Sequence, residues 1–290
     1  MGWERDDMLV KEVMSKELIV GYVPGTVEEA LRILAENNVS GMPVLKKGTK
    51  KVVGVVTRTD IFKNPEEDQL AMVMNENYYS IREDEDITKA AELFYQHRIH
   101  GLPVLDEEDN LVGIISPSDL LKVIVDRKID DIAANHFTTL VVPIYVETPL
   151  PIVMEIINIT NENALPILDD NLKLAGIVTD GDLFKHSQIK EQLLKSDMGL
   201  GADEDQWTWE GIRDTIRMYY ATSKISLPKI PVREVMVTDV KTATRHTPVV
   251  EIAKTMMKHN ISHIPVVDAE SKLIGMITDI DLMHCLIQGC

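Results

Sequence analysis

One phrase recurs four times in this chain, and a chain that repeats itself cannot fold as a single continuous design. The copies are "GVVTRTD" (54–60), "GIISPSD" (113–119), "GIVTDGD" (176–182) and "GMITDID" (275–281). Each is preceded by an anchor: "SGMPVL", "HGLPVL", "NALPIL" and "SHIPVV". The step from anchor proline to final aspartate is 17 residues for Pro43–Asp60 and 16 for Pro103–Asp119, Pro166–Asp182 and Pro265–Asp281.

Upstream of each anchor, apolar residues fall at helical spacing, as with Leu31, Leu34 and Ala35, predicting helices over Val27–Asn37, Ile87–His97, Leu150–Asn161 and Val249–Asn260. Thr148-Pro149 and Thr247-Pro248 place a hydroxyl at the N-cap and a proline at N1. A short strand is expected before each helix, for example "LIVGY" or "DVKTA", and a hairpin after each anchor, for example Pro265–Val267 with Leu273–Thr278. Lead-in phrases open the units: "VKEVM", "LAMVM" and "VREVM", with "IDDIA" a degraded third.

Each unit therefore reads strand, helix, strand, strand, helix, an α+β class. A unit this small buries too little apolar surface alone, so units must pair. The expected divisions are repeats at 8–65, 68–127, 128–187 and 231–288, with an acidic, aromatic insertion at 188–230. That insertion is expected to hold a helix over Trp209–Tyr220, packed on its own domain or offered as a partner or dimer surface.

The phrase ends in Ser/Thr-x-x-Asp ahead of an apolar run, which is first of all a capping box. A cap is worth about 1 kcal/mol and explains a helix start. Yet capping boxes prefer Glu or Gln, and Asp stands in all four copies. A hydroxyl and carboxylate at a helix N-terminus also suit a nucleotide: the N–H groups receive phosphate, and the carboxylate accepts from ribose hydroxyls. Lys63, Lys122, Lys185 and His284 follow each Asp by three residues and read as solvated faces or helix ion pairs.

Composition narrows the class. The net charge of −17 repels nucleic-acid backbones, and the two cysteines, Cys285 and Cys290, form neither a disulfide framework nor zinc spacing. The N-terminus "MGWERDDMLV" lacks signal-peptide character and no apolar run is long enough to span a bilayer, so a cytoplasmic setting is expected. No P-loop or Rossmann fingerprint occurs; "GLGADED" has glycines in the wrong pattern.

Taken together, the anchors, Gly-led strands and Thr/Ser-x-x-Asp endings resemble cystathionine-β-synthase (CBS) domains over nearly the whole chain outside the insertion. Four in one chain resemble the γ subunit of AMP-activated protein kinase and its archaeal stand-alone relatives. The resemblance implies two Bateman modules of paired repeats with adenosine-nucleotide clefts between them. It implies that Asp60, Asp119, Asp182 and Asp281 hold ribose, with Thr57, Ser116, Thr179 and Thr278 near phosphate. His100 keeps an anchor histidine, Gly101 stands where that family has arginine, and His263 occupies that arginine's position in the fourth anchor. Arg58, inside "TRTD", is a further phosphate candidate, and Arg245 a weaker one.

The implied function is a non-catalytic regulatory sensor that requires no cofactor and binds AMP, ADP or ATP. S-adenosylmethionine, NAD(H) and a ligand-free scaffold are the alternatives. The expected partners are the small ligand, a second copy of the chain and a regulated protein.

Overall fold

The computed structural model describes residues 8–186, 188–195 and 219–288, with side chains over 8–186 and 227–287. The predicted helices form at Val27–Glu36, Ile87–His97, Leu150–Thr160 and Val249–His259. Each packs on a small sheet. In the first repeat Gly21–Val23 pairs parallel with Gly41–Lys46, which pairs antiparallel with Val52–Thr57. The second and third repeats have the same order: Ile81–Arg82, Leu102–Leu105, Leu111–Ile115, and Ile144–Tyr145, Ala164–Leu168, Leu174–Thr179. The fourth keeps only the hairpin, His263–Val267 with Leu273–Thr278. Its expected "DVKTA" strand shrinks to a single parallel bridge, Ala243 to Val266.

The anchor proline has a place that costs no ladder bond. The outer parallel strand begins opposite the next residue, with Gly21 facing Val44, Ile81 facing Val104 and Ile144 facing Ile167. The missing N–H of Pro43, Pro103 and Pro166 therefore falls beyond the end of the outer strand.

Two expectations are corrected. Pro149 and Pro248 are themselves the N-caps, with extended ψ of 142° and 139°, so the hydroxyls of Thr148 and Thr247 do not cap their helices. The Thr247 hydroxyl instead accepts from the Thr244 N–H at 2.9 Å. In the insertion, Tyr219 and Tyr220 open a strand, Tyr219–Ser226, which pairs antiparallel with Gln188–Lys195. The aromatic Tyr219 and Tyr220 and the β-branched Thr222 and Ile225 favour a strand over the helical reading there. The remainder of the expected helix, from Trp209, lies outside the described residues, as does Trp207 before it.

The lead-ins decide which repeats pair, because each crosses to another repeat. The segment before repeat 1 bridges repeat 2 (Leu9 to Asp86, Ser15 to Ile114), and the segment before repeat 2 returns to repeat 1 (Thr26 to Gln69, Val55 to Asn75). Repeats 3 and 4 exchange likewise, through Ile132 to Pro248, Thr138 to Met276, Pro149 to Pro231 and Ile177 to Val237.

This exchange explains the glycine that opens each motif. A Cβ on Gly54 would meet Met74, one on Gly113 would meet Met14, one on Gly176 would meet Met236, and one on Gly275 would meet Phe137. Each glycine is the seat for the other repeat's lead-in side chain.

The two modules then pack on each other through their helices. Repeats 2 and 4 share one core, in which Phe94, Leu121 and Ile124 join Ile252, Ala253 and Leu286. Repeat 1 meets repeat 3, with Phe62 in the core built around Leu150, Val153 and Leu183. Phe62 and Phe184 stack edge to face at 5.9 Å there. The modules face each other within one chain, a point that repeat spacing left open.

Candidate functional site

All four Thr/Ser-x-x-Asp motifs form the cap, and all four do so with one carboxylate oxygen. Oδ2 of Asp60 accepts from the Thr57 N–H and hydroxyl at 2.9 and 2.6 Å. Oδ2 of Asp119 does the same with Ser116 at 2.7 and 2.7 Å, and Oδ2 of Asp182 with Thr179 at 3.0 and 2.8 Å. Asp281 repeats it with Thr278 at 2.8 and 2.8 Å. The second oxygen of each carboxylate is left for other work.

What that second oxygen meets differs among repeats. Oδ1 of Asp281 takes a 2.6 Å ion pair from Arg98 of repeat 2. Oδ1 of Asp182 lies 3.8 Å from Lys185 on its own helix. For Asp60 and Asp119, Oδ1 has no hydrogen-bond or ion-pair partner among the described residues.

A cleft of about 980 Å³ opens where the four repeats converge. Ser116 and Asp119, Thr179 and Asp182, Arg58, His100 and His263 all line it. Thr57, Asp60, Thr278 and Asp281 do not. The structure thus gathers the second and third motifs at one place with all three phosphate candidates. Arg245 lies elsewhere, over the Phe137 ring at 5.2 Å.

Arg58 is nine-tenths buried, reaches across to Asp180 of repeat 3 at 3.9 Å, and lies over Phe184. Its Nε has no hydrogen-bond partner, an orphan donor at the cleft wall. Burial pushes the Asp180 carboxyl up, and the Arg58 charge opposes that.

The equivalent contact between repeats 2 and 4 places Pro117 where Arg58 stands and Asp279 where Asp180 stands. Among the described residues Asp279 has no ion-pair partner, and burial, with the neighbouring Asp281 charge, drives its carboxyl up to about 7 against the Ile280 N–H bond and the weaker pull of Arg98. Burial likewise raises the Asp119 carboxyl, against the hydrogen bonds from Ser116.

Both anchor histidines are neutral at pH 7. Burial, helped by Arg98, lowers His100 to about 4, and burial, with His100 and Arg98, lowers His263 to about 3. His100 Nε2 lies 2.8 Å from the Asn163 amide nitrogen and so accepts from it, and His263 Nδ1 contacts the Ser262 hydroxyl at 2.8 Å. Their rings are 6.4 Å apart. Asp180, Asp279, Arg98 and Asn163 were not singled out by sequence reasoning. The doubled acids of "TDGD" and "TDID" signal the first two, and nothing local signals the others.

Comparison with known proteins agrees with this architecture. The chain matches the CBS domain at residues 10–67, 70–126, 133–188 and 232–288, and it belongs to that family. A crystal structure of protein MJ1225 from Methanocaldococcus jannaschii covers 96% of this chain and 99% of its own, with a TM-score of 0.76 at 23% identity. A conserved protein from Pyrococcus horikoshii covers 96% and 100%, with a TM-score of 0.64 at 25% identity. In sequence, MJ1225 is 26% identical over 200 residues, 61% of this chain and 70% of that protein. Inosine-5'-monophosphate dehydrogenase of the same organism is 33% identical over 112 residues. That stretch is 38% of this chain and 22% of the enzyme.

Among the described residues, no helix is long and apolar enough to cross a membrane.

Proposed function

We propose that the chain is a regulatory sensor that binds an adenosine-containing ligand of the AMP, ADP or ATP class in the central cleft. The observation that carries this is the chemistry of the cleft wall. The carboxylates of Asp119 and Asp182 line the cleft and spend one oxygen each on their caps; the other is unpartnered among the described residues in Asp119 and only loosely paired with Lys185, at 3.8 Å, in Asp182. A vicinal diol donates to such oxygens, through charge-assisted bonds of about 1.5–3 kcal/mol each. The Arg58 guanidinium lines the same cleft and brings a positive charge for a phosphate. The likeness to MJ1225, described as a candidate archaeal homolog of g-AMPK, supports the same direction.

Binding there regulates rather than converts. The cleft is walled by both modules, so a ligand held in it favours one relative orientation only as far as it binds that orientation better. A regulated protein would read that orientation, and we expect no turnover of the ligand.

The test is calorimetric titration of the purified chain with AMP, ADP, ATP, S-adenosylmethionine and NADH, repeated on Asp119→Asn and Asp182→Asn. Micromolar binding of one adenine nucleotide, about −8 kcal/mol, weakened in both variants, is the expected result. Preference for S-adenosylmethionine or NADH would change the ligand and keep the site. Silence across the panel would leave a scaffold of capped helices.

A further inference from the structure

The degraded third lead-in carries two side chains, Asp131 and His136, that the first lead-in lacks, and the last helix of repeat 4 adds a third, Cys285. The bridges make Leu9 and Ile132 equivalent, so Asp131 and His136 stand where the first lead-in has Met8 and Val13. Cys285, four residues after its motif Asp, stands where repeat 2 has Val123. In the first module those three positions belong to the apolar core. In the second they are a carboxylate, an imidazole and a thiol.

The three polar groups converge on one point. His136 Nε2 is 2.7 Å from Asp131 Oδ2 and 3.5 Å from Cys285 Sγ, and the three donor atoms all lie within 4.8 Å of one another. The other oxygen of Asp131 is held by the Ile132 N–H at 2.8 Å and the Asn135 amide at 2.5 Å, which aims Oδ2 at the cluster. The His136 side chain is 1% exposed and Cys285 1%. Beside them His284 has a buried Nδ1 with no hydrogen-bond partner, its ring 5.7 Å from that of His136.

A nucleophilic relay would set the thiol and the carboxylate on opposite ring nitrogens. Here the carboxylate addresses Nε2 and the sulfur lies nearer to Nε2, at 3.5 Å, than to Nδ1, at 3.9 Å, which suits a shared cation instead. With metal–nitrogen and metal–sulfur bonds of about 2.0 and 2.3 Å, a tetrahedral zinc needs nitrogen and sulfur about 3.5 Å apart, matching the His136–Cys285 spacing. The Asp131–His136 contact must open by roughly 0.6 Å as the bridging proton leaves.

We propose that Asp131, His136 and Cys285, with His284 as fourth donor, bind one zinc-class divalent cation. On binding, the thiol proton passes to solvent, and the proton between Nε2 and Oδ2 moves to Nδ1, so the imidazole stays neutral and frees Nε2 for the ion. The ion clips the crossed lead-in of repeat 3 onto the C-terminal helix of repeat 4. Nitrogen, sulfur and carboxylate donors in a closed, dry site favour zinc or cobalt over magnesium or calcium.

The test uses Co²⁺ alone as the probe on the full chain. One equivalent should bind with a thiolate-to-cobalt charge-transfer band and the visible absorption of tetrahedral cobalt, and Zn²⁺ should displace it. Cys285→Ser should abolish the charge-transfer band, and Cys290→Ser should leave it intact. The triple variant Asp131→Met, His136→Val, Cys285→Val restores the packing of the first module, so it should fold and lose Co²⁺ affinity at least a hundredfold. A charge-transfer band that survives in the triple variant, or Co²⁺ uptake with no such band in the native chain, would overturn the proposal.

Discussion

Arg58 of the first repeat stands 3.9 Å from Asp180 of the third, and both are almost fully buried. The pair ties one module to the other beside the cleft. Removing one member of a buried pair leaves the other uncompensated, which costs about 3–5 kcal/mol. Arg58→Met should therefore lower the chemical-denaturation midpoint sharply. The double variant Arg58→Met, Asp180→Asn should recover most of the loss. Equal damage from the single and double variants would show that the pair contributes little.

Asp279 has no ion-pair partner among the described residues, and its folded state holds a proton up to about pH 7. In the unfolded chain the group ionises near about pH 4. The fold thus binds the extra proton between those values, and stability falls as pH rises across that window. Asp279→Asn should melt higher than the native chain at pH 8, with the two curves converging toward about pH 4. A constant difference in melting temperature at every pH would refute the assignment.

His100 and His263 act with the opposite sign. Their folded values of about 4 and about 3 lie below the ordinary histidine value, so the unfolded chain takes up protons first as pH falls. The stability they contribute is present above about pH 6.5 and is lost as pH drops through their folded values. The variant His100→Gln, His263→Gln should flatten the acid limb of the stability profile between about pH 6 and pH 4. An unchanged limb would place the acid sensitivity elsewhere.

The motif glycines should not be equally sensitive. At Gly113 the nearest atoms an added Cβ meets all belong to the Met14 side chain, a flexible group that can withdraw. At Gly275 it would come within 2.4 Å of the Thr138 carbonyl as well as 2.3 Å of Phe137. Gly113→Ala should cost about 1 kcal/mol and be relieved by Met14→Ala, whereas Gly275→Ala should cost about 3 kcal/mol and resist rescue by Phe137→Ala. Thermal melts of the four variants decide it, and rescue at Gly275 would show the lead-in backbone to be mobile.

Asp119→Asn keeps an oxygen to accept from Ser116 while removing the charge that a ligand diol would meet. Its nucleotide affinity should fall about tenfold or more, with a small change in melting temperature. A large loss of stability with unchanged affinity would reduce this motif to its capping role.

Four repeats, four helices with ends correct to within a residue and four Asp-terminated motifs were legible in the chain itself. These depend on local rules: apolar residues at i, i+3 and i+4, prolines at sheet ends, and an acid three residues after a hydroxyl. The capping half of each motif was legible for the same reason, since Thr57 and Asp60 meet within one helical turn.

Which repeats pair, and what each motif carboxylate meets, was decided only by tertiary structure. Met14 reaches Gly113 and Arg58 reaches Asp180 across distances in sequence that no local pattern encodes. Asp281 is closed by Arg98 from another repeat, whereas Asp119 opens on the cleft, although their motifs read alike. His136 and Cys285 show the same division: each is an isolated residue in the chain, and only the crossing of the third lead-in onto the fourth repeat makes them neighbours. A repeat specifies its own fold through near-neighbour contacts, but the chemistry at its edges belongs to whichever surface is packed against it.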